Sequence, residues 1–138
     1  MMRWLANSRS TGWRRRAAAA VEMAVVSPIL FTLLLGIMEY GRRFMVYQTL
    51  VQAAREGCRT AVLQGSTEDD IRNRVSAYMR AAGLPNYVIT ITRATAADPT
   101  ETVRVTVNKA DVSLFGSFFG DPGGTMGSTC SMRKEGSV

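Results

Sequence analysis

The chain has 138 residues, with 17 Lys and Arg against 11 Asp and Glu, and no histidine. That length holds one compact domain and little more, and without histidine the commonest general base and metal ligand are missing. The net charge of +6 is local, because Arg3, Arg9, Arg14, Arg15 and Arg16 all fall in residues 1–16, where there is no acid. With those five removed, 12 basic and 11 acidic residues remain, a net charge of +1. A basic membrane flank fits that distribution, and a nucleic-acid-binding face does not.

Residues 1–16 read as a basic cytoplasmic N-terminus. Residues 17–38, AAAAVEMAVVSPILFTLLLGIM, carry one charge, Glu22. As a helix they span about 33 Å, against roughly 30 Å of bilayer hydrocarbon. The stronger positive cluster precedes them, so the N-terminus is expected to stay in the cytoplasm and residues 39–138 to be exported. The rival is a cleaved signal peptide, but the apolar stretch is long for one and no A-x-A site lies just after it. A carboxylate in a spanning stretch points to function; the plain alternative places Glu22 just inside the headgroup layer. Pro28 removes one helical hydrogen bond and is a candidate kink.

From Glu39 to Leu63 there is no proline, and Phe44, Tyr47, Val51, Ala54, Cys58, Ala61 and Val62 recur at helical spacing. These residues predict an amphipathic continuation of the first helix, ended by Gly65 and about 72 Å long over 17–64. A second helix follows. Ser66 or Thr67 caps it, Glu68, Asp69 and Asp70 suit its positive end, and Ile71, Val75, Tyr78, Met79 and Ala82 form its stripe. Gly83 and Pro85 stop it.

The period then changes to 2. Tyr87, Ile89 and Ile91 alternate with Val88, Thr90 and Thr92, and Val103, Val105 and Val107 alternate with Arg104, Thr106 and Asn108. The two runs predict a β-hairpin around a loop at 96–101. Residues 110–124 read as a Gly- and Phe-containing loop ending in DPGG, and 125–132 as a last strand. The expected fold class is α+β: a long transmembrane and amphipathic helix, a second helix and an antiparallel sheet of about three strands.

No catalytic signature is present: no G-x-S-x-G, no Walker loop and no G-x-G-x-x-G. Glu68, Asp69 and Asp70 read as a solvated helix start, and Phe115, Phe118 and Phe119 as core or loop anchors. Two cysteines alone do not make a zinc site. No enzyme activity, cofactor, metal site or nucleic-acid partner is expected.

AAAAVEMAVVSPILFTLLLGIMEYGRRF (17–44) with QAAREGCRTAVLQG (52–65) resembles the TadE-like family of pilin-related proteins, and Met132, Arg133, Lys134 and Glu135 resemble its M-R-R-E ending. The resemblance implies a pilin-like minor pseudopilin of the tight adherence (Flp) type IV pilus, in the bacterial inner membrane. The implied partners are other pilin or pseudopilin subunits, the inner-membrane assembly platform and a prepilin peptidase. It implies subunit packing through Glu22 and through the pair Glu39 and Tyr40. It also makes Ala17–Ala18 the candidate processing site, where Ala17 replaces the usual Gly and slow or absent cleavage is expected. Cys58 stands where the family has Ala, on the helix stripe expected to face the sheet, and Cys130 lies in the last strand. A Cys58–Cys130 disulfide is therefore expected; the alternative is two separate buried thiols. Outside the family reading, the chain is a membrane-anchored extracytoplasmic binding module not part of a pilus.

Overall fold

The computed structural model describes residues 9–120 and 123–134. The first half of the basic segment, Asp121 and Pro122 of the DPGG run and Glu135 of the tail motif lie outside the described residues. The chain divides into two compact units between Met38 and Glu39. One helix, α1 (Arg9–Ala61), supplies residues to both.

In the first unit α1 is helical without a break, Pro28 included. The Thr32 hydroxyl donates to the Pro28 carbonyl at 2.8 Å. Val21, Met23, Val25, Ile29, Leu30, Phe31, Leu33, Leu34 and Ile37 are all exposed. An all-round apolar helix needs a cover that water cannot supply.

The second unit is an α+β fold with two layers. Helix α2 (Glu68–Ala81) begins at a capping box: the Asp70 amide donates to the Thr67 hydroxyl, and the Thr67 amide donates to the Asp70 carboxylate. The Thr67 amide and hydroxyl, both donating to the Asp70 carboxylate, hold it below its ordinary range. The helix ends in a Schellman motif: Leu84 N–H donates to Met79 O and Gly83 N–H to Arg80 O, with Gly83 at φ +69°. Leu84 and Met79 are both buried, so the hydrophobic contact that accompanies this motif is available. Ile71, Val75 and Met79 form the buried stripe of α2.

Strands β1 (Tyr87–Thr92), β2 (Thr100–Asn108) and β3 (Thr125–Arg133) form an antiparallel sheet in the order β1-β2-β3. Ile89 faces Val105, and Val103 faces both Ile91 and Cys130. On central β2, Val103, Val105 and Val107 are buried and Arg104 is exposed, as the period of 2 requires. The core joins these valines to α2 and to Val46, Leu50, Ala53, Ala54, Cys58 and Ala61 of α1.

Three expectations need correction. The inward stripe of α1 begins with Val46 and Leu50, while Phe44 and Tyr47 are exposed. Small residues set that choice, since Ala53, Ala54 and Gly57 let α1 approach its neighbours closely. A Cβ on Gly57 would sit 2.8 Å from Val75 Cγ2 and 3.0 Å from Val103 Cγ1. Residues 110–119, expected in a loop, also include two helical turns. Helical turn α3 (Lys109–Val112) is capped by the Asn108 side chain, and a 3-10 turn covers Gly116–Phe119.

The expected Cys58–Cys130 disulfide is not formed, and both thiols are free. Cys58 Sγ donates to the backbone carbonyl of Cys130 at 2.8 Å. The buried thiol is thus satisfied by the strand's main chain. Burial, helped by the hydrogen bond with Cys130, pushes the Cys58 thiol up to about 12, and a thiol held protonated is a poor nucleophile.

Candidate functional site

Two surfaces stand out, one in each unit. In the first, Glu22 is exposed on α1 among apolar side chains, and Ala17 and Ala18 are exposed and helical. The most apolar stretch of α1 has no residue buried within the structure, which separates it from the core helix of a soluble domain. It is long and apolar enough to cross a membrane, and among the described residues it is the one helix that is.

In the second unit, Glu39 and Tyr40 part company, because adjacent helical residues point in different directions. Tyr40 is 73% exposed, and Glu39 only 5%. Glu39 Oε2 accepts from Leu114 N–H at 2.9 Å and from Phe115 N–H at 3.4 Å, while its Oε1 takes Arg43 Nε at 3.0 Å and Nη2 at 2.9 Å. Burial works to raise the Glu39 pKa. The Ser113 hydroxyl, the two amides and Arg43 outweigh it and hold the carboxyl below its ordinary range. The carboxylate therefore fastens residues 113–115 to α1. Leu114, Phe118 and Phe119 remain exposed beyond it, with Phe118 and Phe119 edge to face at 5.0 Å.

A second buried carboxylate, Glu101, was expected in the loop at 96–101 but stands in β2, which begins earlier, at Thr100. It is 1% exposed, with Arg93 Nε at 3.6 Å and Lys134 Nζ at 3.9 Å from its Oε1. Arg93 Nη2 also donates to Ser66 O at 3.0 Å, tying the hairpin to the turn between the helices. The signal was available: Glu101 is in phase with Val103, Val105 and Val107, so the alternation that buries the valines buries it too. On the exposed side, Arg74 Nη2 meets Glu56 Oε1 at 2.6 Å and links α2 to α1. Among the described residues, no group of three or more His, Cys, Asp or Glu side chains is placed to hold a metal ion.

An exposed apolar helix joined to a small α+β unit defines the class: a membrane-anchored α+β protein. Residues 17–59 match the family model described as TadE-like protein, so the span, Glu22, Glu39 and Tyr40 all lie in a TadE-like segment. The curated proteins and the solved structures compared with the chain contain no match.

Proposed function

We propose that the chain is a non-enzymatic minor pseudopilin-like subunit that supports assembly of a tight adherence (Flp) type IV pilus for surface adhesion. In this reading residues 17–38 cross the bacterial inner membrane. Arg14–Arg16 keep the N-terminus cytoplasmic, and residues 39–138 are exported. Partners are other pilin or pseudopilin subunits and the inner-membrane assembly platform. The observation that carries the reading is a lone carboxylate, Glu22, on an exposed apolar helix inside the TadE-like segment. A simple anchor gains nothing from a charge there, and a carboxylate in the apolar stretch costs insertion free energy. A carboxylate that meets a cation or donor on a neighbouring helix recovers that loss and orients the pair. Tyr40, exposed in the second unit, is a further candidate packing residue. Glu39 contributes indirectly, by fixing the loop at 113–115 beside it.

The test is Glu22→Ala in the producing bacterium. The variant is expected to reach the membrane at the normal level and to make no pili; normal piliation would leave Glu22 an inert part of an anchor. N-terminal sequencing of the extracted protein reads the processing step. Ala17 in place of Gly predicts a start upstream of Ala18, and efficient cutting at Ala17–Ala18 would contradict that.

A further inference from the structure

Glu39 follows Met38 directly, so the loop it holds belongs to the part of the folded unit that begins where the apolar run ends. Residues 113–119, SLFGSFF, carry no charged side chain. Leu114 is 52%, Phe118 65% and Phe119 41% exposed. Three large apolar side chains of one loop left in water forgo the stabilisation that covering their apolar surface would give. A buried carboxylate is committed to holding this loop in place, through hydrogen bonds from Leu114 N–H and Phe115 N–H. Of the two arginines that follow on α1, Arg43 is paired with the Glu39 carboxylate, which leaves half-buried Arg42 as the nearby cation to meet the phosphates of a bilayer surface.

We propose that Leu114, Phe118 and Phe119 form a membrane-surface contact: the loop dips into the headgroup–acyl boundary of the bilayer that α1 crosses, and Glu39 is its clamp. The occupant is lipid. The argument is continuity with the span through the Glu39 hydrogen bonds, together with Arg42, which complements anionic headgroups. Interfacial aromatic and leucine side chains gain from that boundary by burying apolar area a few ångströms deep. The contact gives the domain a second attachment and limits its rotation about the helix. The proposal rests on residues 17–38 being a span and not on the pilus role.

The experiment uses the full chain with Trp4 and Trp13 changed to Phe, reconstituted at low protein-to-lipid ratio in phosphatidylethanolamine–phosphatidylglycerol vesicles. Each sample carries one new tryptophan reporter, Phe118→Trp in the loop or Leu30→Trp in the span, and far-ultraviolet circular dichroism checks folding. Both positions are exposed, so neither substitution disturbs the core. The span reporter reads the membrane helix by itself. The expected result is a blue-shifted emission from the loop reporter that loses intensity when the lipids are brominated near the headgroup end of the acyl chain. The span reporter should respond most to bromine near the chain end. A solvent-like, unquenched loop reporter beside a quenched span reporter overturns the contact and leaves the span standing. A blue-shifted loop reporter that brominated lipid does not quench means burial against protein, and also overturns it. Failure of quenching at both positions removes the span and the proposal together.

Discussion

The two stretches of α1 are both rich in apolar residues, yet they solve opposite problems. Before Met38 the large side chains (Leu30, Phe31, Leu33, Leu34) point outward on every side, and none of the most apolar stretch is buried. After Glu39 the buried positions are small or branched (Val46, Leu50, Ala53, Ala54, Gly57, Cys58, Ala61), and they fit a sheet and a second helix. Hydrophobicity alone does not distinguish a lipid-facing helix from a core helix. Size and spacing do, because protein neighbours require close approach and lipid chains do not.

Substitutions in the two stretches should therefore fail in different assays. Leu50 is fully buried, and Leu50→Ala is expected to destabilise the folded unit by about 2–5 kcal/mol. A lowered thermal midpoint of the detergent-extracted chain, with membrane fractionation unchanged, is the expected result. Leu30→Arg should do the reverse. An arginine near the centre of the span costs about 3 kcal/mol of insertion, so membrane recovery should fall while protein that does insert melts normally. If either variant moved both readouts equally, the division at residue 38 would be wrong.

Gly57→Ala sharpens the comparison. Alanine is the better helix former by about 1 kcal/mol, but the new Cβ meets Val75 and Val103, and overpacking typically costs about 1–3 kcal/mol. The clash is expected to win, with a lower melting midpoint than the parent; the same change at Gly36, in the span, should leave the midpoint unaltered. A stabilised Gly57→Ala chain would mean that α1 sits farther from the sheet.

The smallest effect expected is on pH dependence. The Glu39 carboxyl is held below its ordinary value, so the unfolded chain binds the proton more readily. The stability Glu39 contributes is present above the unfolded-state value, about pH 4.3, and is lost as pH falls through the lower folded-state value. Glu39→Gln should be less stable than the parent at neutral pH, and the gap should close in acid. A gap constant from neutral pH down to about pH 3, below the ordinary glutamate value, would show that the carboxylate's charge is not what holds the loop.

Much of this was legible from local pattern. Thr67 at a helix start with Asp70 three residues on, Gly83 at its end, and the alternations at 87–92 and 103–108 are short-range signals, and each element formed where they placed it. The face of α1 that packs on the sheet was not legible. Phe44 and Tyr47 compete with Val46 and Leu50 on hydrophobicity, and the deciding residues, Ala53, Ala54 and Gly57, carry little signal of their own. The Glu39 clamp was hidden for a different reason, since its partners, Leu114 and Phe115, are 75 and 76 residues away. The cysteines were placed on facing elements but not joined, because Cys58 found the carbonyl of Cys130 instead of its sulfur.

By itself, the sequence determined the basic flank, the length of the apolar run, the lone Glu22, the TadE-like segment and the order of the two long helices and three strands. All of these rest on composition or on contacts within a few residues. Only the tertiary structure decided which side of α1 is core, that Glu39 turns inward while Tyr40 stays out, that Glu101 is buried with Arg93 and Lys134, and that three apolar side chains of the 113–119 loop are left uncovered. Each of those depends on groups far apart in the chain meeting at close range, where steric fit and hydrogen-bond partners, not local preference, set the free energy.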